Sequence, residues 1–292
     1  MNVATDLYLG ISEPSQLIAP VPVCIAHHRL QRTTWWIRRD RPDRGPYMVD
    51  SGAYSALDAI PDGTPRNELE EHGYWRTDPR EYVSAIAEYH HWIGPPTMVG
   101  IQDWMCEDHI LAKTGLTVGE HQDRTVANYL ELTARWDEWF LRSLGPSKFV
   151  PTLQGDTPQA YVACIEKYRR AGVDLLAGPV GVGSLCRRQS TREIIAIISA
   201  IVAAVPGIDI HAYGVKTLGI RRVGHLIKTS DTESWSVDAR YSDPLPACVG
   251  THQKCTSCLD YALLWRDRLI HSFRSPEPTG GQLDLFGEEF AA

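Results

Sequence analysis

Acidic and amide side chains follow several short apolar runs of this chain, at points where buried β-strands are expected to end. The predicted strand ends are Asp50-Ser51-Gly52, Gln102-Asp103, Gln154-Gly155-Asp156 and Val237-Asp238. A single aspartate in such a place is more often the N-cap of the next helix than a catalytic group. Four endings of this kind favour a shared site.

Two carboxylates that face one sugar carbon suit glycosyl transfer. One can attack the anomeric carbon, while the other moves a proton on the leaving or the entering group. A third acid and an amide could hydrogen-bond the edge of a heterocycle, as enzymes do with a base flipped out of a nucleic acid. Pattern and composition alone define only this class of chemistry.

The elements that would position these side chains alternate between strand and helix. Strands are predicted at 21–26, 47–50, 97–103, 148–154, 174–178, 209–215 and 234–239, with a possible eighth at 4–11. The clearest helix has Thr157 as its N-cap, Pro158 at its first position and Gly172 beyond its end. This alternation predicts an α/β fold with a mainly parallel sheet, and the number of strands favours a (β/α)8 TIM-type barrel. The C-terminal strand ends of such a barrel converge on one face, which carries the chemistry.

Four potential metal ligands lie within eleven residues near the C-terminus. They form the pattern Cys248-x3-His252-x2-Cys255-x2-Cys258, which has the spacing of a structural zinc site, although a buried cluster of free thiols is the alternative. His271 is a second candidate for the nitrogen ligand. A helix that starts after Cys258 would place it nearly 20 Å along the helix axis, at about 1.5 Å per residue, so the spacing favours His252. Four protein ligands leave no open position for catalytic water, so the expected Zn²⁺ is structural.

The predicted organisation is a catalytic barrel at 1–245, a zinc-binding subdomain and helix at 246–274, and a disordered tail at 275–292. The formal charge of -7 argues against a basic coat for nucleic acid. Residues 29–44 nevertheless hold six arginines against two aspartates, with Trp35 and Trp36 between them. This segment suits phosphates and unstacked bases, or is a solvated loop with two buried tryptophans. Because the chain has no run of about 18 apolar residues and no signal-peptide pattern, we expect a cytoplasmic protein without a membrane partner.

Several motifs resemble, in order, those of the tRNA-guanine transglycosylase superfamily, and more closely those of its DNA-acting DpdA-type branch. "DSGAYS" is similar to the family's DSGG(F/Y)Q, "LQGD" to VQGG and "AGPVGVGS" to GGLAVGE, while "SVDA" occupies the place of the nucleophile strand. The resemblance covers about residues 47 to 260 and includes the metal-ligand cluster that follows.

The resemblance implies a glycosyltransferase of the pentosyltransferase type, a DNA-guanine transglycosylase that exchanges guanine in DNA for a 7-deazaguanine derivative in a bacterial host cell. Asp238 would be the nucleophile that holds the covalent sugar intermediate, and Asp50 the acid and base. The residues expected to contact the flipped guanine, the incoming base or the phosphates are Ser51, Tyr54, Asp103, Gln154, Gly155, Gly178, Gly183, Arg187 and Arg188. Two alternatives stay open: a tRNA-guanine transglycosylase, and a non-catalytic nucleic-acid-binding protein.

The tail holds a separate signal. "QLDLF" at 282–286 resembles the short peptide by which bacterial replication proteins dock on the β sliding clamp. Gln282, Leu283, Leu285 and Phe286 would fill the clamp's pockets, because apolar residues in an otherwise polar terminal segment are typical of docking peptides. The alternative is a terminal segment that folds back onto the barrel.

Overall fold

The computed structural model describes residues 6–31, 43–61, 64, 77–186, 188 and 191–274. Some predictions fall outside these described residues: the contact of Arg187, most of the segment rich in arginine and tryptophan, and the tail 275–292 with Gln282, Leu283, Leu285 and Phe286.

One parallel sheet forms the centre of the described chain. Its strands are β1 Asp6–Ile11, β2 Val23–Ala26, β3 Tyr47–Asp50, β4 Met98–Gly100, β5 Phe149–Val150, β6 Thr152–Leu153, β7 Pro179–Val182, β8 Asp209–Ala212 and β9 Thr229–Thr232. They are arranged in the order β5-β4-β3-β2-β1-β9-β8-β7-β6. The two ends of this order, β5 and β6, are separated in the chain only by Pro151, which has no N–H to donate to a ladder. The segment 149–153 therefore acts as one interrupted strand, and the sheet closes into the predicted (β/α)8 barrel.

Helices follow the strands. They are α1 His27–Leu30, α2 Ala53–Asp58, α3 Pro79–Trp92, α4 Asp108–Thr114, α5 Val118–Trp139, α6 Leu141–Leu144, α7 Pro158–Arg170, α8 Thr191–Ala204, α9 Thr217–Val223, α10 Ser234–Tyr241 and α11 Leu259–Arg274. The start of α7 is as predicted, since the Thr157 hydroxyl accepts a hydrogen bond from the Ala160 amide at 3.3 Å and Pro158 occupies the first position. No helix of the described residues is long and apolar enough to cross a membrane.

The strands place alternate side chains inside and outside the barrel. Tyr8, Cys24, Met48, Met98 and Val150 form the apolar cluster of the interior. The residues between them, such as Leu9, Ile25 and Val49, belong to the larger core that packs beneath the helices. Residues two positions beyond an inward side chain also face inward, and this register brings the ends of the strands to a common mouth.

Two of the predicted strands are wrong, and both errors bear on the site. Residues 174–178 form a turn, and the strand begins only at Pro179. Residues 234–239 lie in α10, where Trp235 and Ala239 are buried one helical turn apart and the Trp235 indole donates to Gly10 O at 2.6 Å.

The last strand of the barrel is instead the polar segment Thr229–Thr232. Its side chains find partners within the barrel: Ser230 Oγ donates to Ala212 O at 2.7 Å, and Thr229 Oγ1 lies 2.8 Å from His211 Nδ1. Buried polar groups are tolerated when they are hydrogen-bonded in this way. A segment without an apolar pattern can therefore form a central strand.

Candidate active site and metal centre

Three aspartates define the mouth of the barrel. Asp50 ends β3, Asp231 lies in β9, and Asp103 follows β4. The Gly52 amide donates to Asp50 Oδ2 at 3.1 Å, and Gly52 has a φ of 78°, a conformation that side chains other than glycine rarely adopt. The glycine of the "DSG" motif thus allows the backbone to turn toward the carboxylate that precedes it.

The carboxyl groups in this mouth have raised pKa values. Loss of hydration raises the pKa of Asp50 to about 6, and the negative charge of Asp231 adds to the shift. Loss of hydration raises the pKa of Asp103 to about 7, with a further contribution from Asp50. Like charges in a poorly hydrated site disfavour simultaneous ionisation. The mouth therefore retains carboxyl protons near neutral pH, as acid–base catalysis requires.

A chain of hydrogen bonds fixes the side chain of Gln154. Its Nε2 donates to Asp103 Oδ2, and its Oε1 accepts from Ser184 Oγ at 2.6 Å. Ser184 Oγ in turn accepts from the Cys106 amide at 2.8 Å. Ser184 has a φ of 54° and is the one residue other than glycine with a positive φ among the described residues. This backbone conformation is uncommon for serine, and it holds the Ser184 hydroxyl between the Cys106 amide and the Gln154 side chain.

Asp231 is the functional candidate that the sequence prediction missed. Its Oδ1 accepts from the Gly214 amide at 3.1 Å and lies 3.4 Å from the buried Nε2 of His211. The His211 ring meets Tyr8 and Tyr213 edge-on, at centroid distances of 6.1 and 4.7 Å, so Asp231 faces the barrel interior. The sequence held one signal for it: an alternating fold requires a strand after the helix that ends at Val223, and Asp231 lies in the next segment.

Asp238 does not lie at a strand end. It belongs to α10, and its carboxylate accepts a hydrogen bond from the Tyr261 hydroxyl of α11. The structural premise for its role as the nucleophile, a position on the last barrel strand, is therefore wrong. The described contact connects two helices outside the barrel.

Of three other predicted contact residues, Gly178 lies away from the mouth, and Gly155 and Arg188 make contacts within the scaffold. Gly178 precedes β7 and so lies at the opposite end of the barrel from the mouth. Gly155 packs against α7, where a Cβ would come within 2.9 Å of Tyr161. The Arg188 guanidinium donates to Asp156 O at 2.9 Å and to Gly155 O at 3.2 Å, and its Nε donates to Ser184 O at 3.0 Å. These contacts hold the loops after β6 and β7 together.

The remaining predicted residues lie near the mouth. Ser51 Oγ is buried and has no hydrogen-bond partner among the described residues. Gly183 adjoins Gln154, since a Cβ there would lie 2.2 Å from Gln154 Nε2. Tyr54 lies on α2, with its ring 6.1 Å from that of His109 and packed on an apolar cluster that includes Trp104.

Glu107 and Cys186 were not predicted from the sequence. Cys186 Sγ donates to Glu107 Oε1 at 3.3 Å, while Glu107 Oε2 is buried without a hydrogen-bond partner in the described chain. Loss of hydration also raises the pKa of Glu107. The sequence offers no signal for this pair, because the two residues are distant in the chain and match no motif. Unpaired buried oxygens such as those of Ser51 and Glu107 are uncommon in folded proteins and are expected where a ligand binds.

The cysteine-rich segment forms a compact cluster of metal-ligand atoms. One ligand atom each of Cys248, His252, Cys255 and Cys258 lies within 4.8 Å of all the others. Cys248 Sγ and Cys258 Sγ are 3.7 Å apart, close to the roughly 3.8 Å that tetrahedral zinc with bonds of about 2.3 Å requires. His252, rather than His271, belongs to this group. The donor set therefore fits a metal ion with a closed coordination sphere.

Fold and site together define a TIM-type barrel whose mouth is lined by carboxylates. A profile of the family described as "DpdA: DeoxyPurine in DNA protein A" matches residues 3–280, and the chain belongs to this family. This membership supports a function in DNA modification. A search of curated protein sequences found no significant match.

Matches among solved structures include the HMG-CoA lyase from Brucella melitensis, with 13% identity, a TM-score of 0.43 and coverage of 91% of this chain and 99% of that one. The carboxyl transferase domain of Rhizobium etli pyruvate carboxylase, solved with pyruvate, has 12% identity, a TM-score of 0.41 and coverage of 92% of this chain and 47% of that one.

Proposed function

We propose that the protein is a DNA-guanine transglycosylase, which exchanges guanine in DNA for a 7-deazaguanine derivative through a covalent aspartyl–sugar intermediate. The observation that carries this proposal is the group of three aspartates and Gln154 at the mouth of a barrel from a DNA-modification family. The target nucleotide would have to leave the helix stack to reach the mouth, at a cost of a few kcal/mol.

Asp231 is the proposed nucleophile, in place of Asp238. It lies on a barrel strand, faces the interior and has its orientation set by the Gly214 amide. Its carboxylate oxygen attacks C1′ of the deoxyguanosine, a C–O bond forms, and the bond from C1′ to the base nitrogen breaks. The electron pair of the broken bond leaves with guanine.

Asp50 is the proposed acid and base. With a pKa of about 6, it carries a proton in part of the molecules near neutral pH and can deliver it to the departing guanine. The resulting carboxylate then accepts the N–H proton of the incoming base, whose nitrogen attacks C1′ and releases Asp231. The proton count is thus restored after each exchange.

Asp103, Gln154 and Ser51 are proposed to recognise the base. The first two hold each other in a fixed orientation, and Ser51 Oγ has no other partner in the described chain. The hydrogen bonds among Asp103, Gln154 and Ser184 reduce the freedom of the site before a base arrives, so less entropy is lost on binding. Cys248, His252, Cys255 and Cys258 would hold a structural Zn²⁺, which would stabilise the fold.

The direct test is incorporation of radiolabelled guanine into duplex DNA and into unmodified tRNA. Wild-type protein is expected to label DNA only. Asp231→Asn should lower the rate by about 10³-fold or more, whereas Asp238→Asn, the matched control, should retain exchange. In the absence of free base, wild-type protein should also form a DNA adduct that survives denaturation.

Other outcomes would change the assignment. Labelling of tRNA would favour the tRNA-acting alternative. Binding of DNA without exchange or adduct formation, unaffected by Asp231→Asn, would favour a non-catalytic nucleic-acid-binding protein. Full exchange by the Asp231→Asn variant would exclude Asp231 as the nucleophile.

A further inference from the structure

A polar cleft of about 580 Å³ lies beside the barrel mouth. It is bounded by the ends of β1 and β9, by α1 and α10, and by the loop of the metal-ligand cluster. Six of its lining side chains carry a hydroxyl group: Ser12, Thr232, Ser234, Ser236, Thr256 and Ser257. Arg29 and Arg240 add two guanidinium groups.

We propose that this cleft binds the sugar–phosphate backbone of DNA next to the extruded nucleotide. The inference rests on the proposed function, because it requires an extruded nucleotide. It adds the path of the DNA strand on either side of that nucleotide, which the residues of the mouth do not define. In this arrangement the metal-binding loop is a wall of the DNA site as well as a stabiliser of the fold.

The chemistry of the lining suits phosphodiester oxygens. Serine and threonine hydroxyls and arginine side chains are common donors to DNA phosphates, and such contacts position a strand without reading its sequence. Glu13 and Glu233 also line the cleft. Loss of hydration raises the pKa of Glu233, and the positive charges of Arg29 and Arg240 oppose that rise. Because these acids repel phosphate, the favoured position is on the side of the metal-binding loop, which Thr256 and Ser257 form.

The cleft is continuous with the proposed active site. Gly214 and Thr232 line it, and they flank Asp231: the Gly214 amide donates to the Asp231 carboxylate, and Thr232 is the next residue in the chain. A strand lying in the cleft would therefore pass the nucleophile. The volume of the cleft lies within the range of roughly 300–1,000 Å³ that is typical of small-ligand pockets. The cleft can therefore hold nucleotide units of a single DNA strand but is too small for a duplex.

An exposed aromatic side chain lies at the rim. Tyr241 is 73% exposed, and Val237, which lines the cleft four residues earlier on α10, is 51% exposed. Residues four apart share one side of a helix, so Tyr241 extends the same face. An exposed tyrosine beside an arginine is a platform on which an unpaired base can stack.

The metal-binding loop is attached to the cleft through two hydrogen bonds. Ser236 Oγ on α10 donates to Thr256 O at 2.8 Å, and Gln16 Nε2 donates to Ser257 O at 3.1 Å. Both acceptors lie between ligands of the cluster, Cys255 and Cys258. Loss of the metal is therefore expected to displace the wall of the cleft and to weaken DNA binding even where the barrel remains folded.

The experiment measures binding of a duplex with a central unpaired guanine, as a function of salt, by fluorescence anisotropy with the metal-loaded full chain. Arg240→Ala is expected to weaken binding about fivefold, the scale of one exposed ion pair, and to reduce the slope of log K against log salt by about 0.7–0.9. Arg240→Lys should restore the slope. Tyr241→Ala should weaken binding without changing the slope.

Arg142→Ala is the matched control, because Arg142 is an exposed arginine of α6, near the start of β5 and therefore at the other end of the barrel. Two results would overturn the cleft assignment. In the first, Arg240→Ala binds DNA with the affinity and salt slope of the wild type; in the second, Arg240→Ala and Arg142→Ala lose the same amount of affinity. Circular dichroism of each variant identifies loss of folding. If Arg240→Lys is folded but has the same salt slope as Arg240→Ala, a phosphate contact of residue 240 is also contradicted. Because these readouts measure binding, they are separate from the guanine-exchange assay that tests the proposed function.

Discussion

The hydroxyl of Tyr261 donates a hydrogen bond to the carboxylate of Asp238, and this contact connects α10 with α11. It gives Asp238 a structural role in a segment that also borders the metal-binding loop. The aspartate on the neighbouring barrel strand, Asp231, instead faces the interior beside His211.

Replacing Asp238 should therefore affect stability more than chemistry. Asp238→Ala and Tyr261→Phe should each lower the free energy of unfolding by about 0.5–1.5 kcal/mol, the net value of one hydrogen bond. The double variant should lose less than the sum, because both changes remove the same contact. Urea denaturation measures the stability, and a complete loss of guanine exchange in Asp238→Asn with intact folding would contradict this role.

Asp50 should make the folded protein less stable as the pH rises. Its pKa is about 6 in the fold and 3.8 in the unfolded chain, so the folded state binds this proton more tightly. The associated stability is complete below about pH 4 and is lost as the pH rises through about 6. Asp50→Asn removes this titration, so the variant should exceed the wild type by on the order of 1–3 kcal/mol at pH 8 and match it near pH 4. Thermal unfolding across this range tests the sign, and a destabilised variant at pH 8 would contradict it.

Two glycines near β7 should respond differently to the same substitution. Gly183→Ala places a Cβ 2.2 Å from Gln154 Nε2 and should displace that amide from Asp103. Gly178→Ala has no atom within 4 Å of the new Cβ and should be tolerated. We expect Gly183→Ala to reduce kcat/KM for the incoming base at least tenfold, because a loss of about 1.4 kcal/mol of binding free energy lowers affinity tenfold. Gly178→Ala should have a kcat/KM near that of the wild type. Equal effects of the two changes would contradict the placement of Gly178 at the opposite end of the barrel.

The cluster of metal-ligand atoms includes His252 but not His271, and this difference predicts which histidine the protein needs to retain a metal ion. The folded chain should contain one zinc ion, and His252→Ala should lose most of it, because His252 Nε2 lies 3.2 Å from Cys255 Sγ within the ligand group. His271→Ala should retain the ion. Elemental analysis of both variants measures the content, and zinc retained by His252→Ala but lost from His271→Ala would reverse the assignment.

The expected contact of the tail with a β sliding clamp is a separate prediction. A peptide of residues 278–290 should bind the clamp in solution, and replacing Leu285 and Phe286 by alanine should abolish binding, because these two side chains would fill its apolar pocket. Isothermal titration of both peptides measures this. Equal binding of the two peptides would exclude the motif.

The sequence alone was sufficient for the features that depend on local pattern. The alternation of apolar runs with helices predicts the barrel, because each element shows its own periodicity. The ligand cluster at 248–258 is predictable because its four residues are close in the chain, and Asp50 because it ends a clear apolar strand.

The tertiary structure decided the identity of the last strand, and with it the candidate nucleophile. Trp235 and Val237 alternate with polar residues as in a strand, yet Trp235 and Ala239 are buried together as in a helix. The polar segment 229–232 becomes a strand because β1 and β8 lie on either side of it and Ala212 and His211 satisfy its hydroxyl groups. These partners come from distant parts of the chain, so neither local propensity nor periodicity identifies Asp231, which faces the barrel interior only once the sheet has closed.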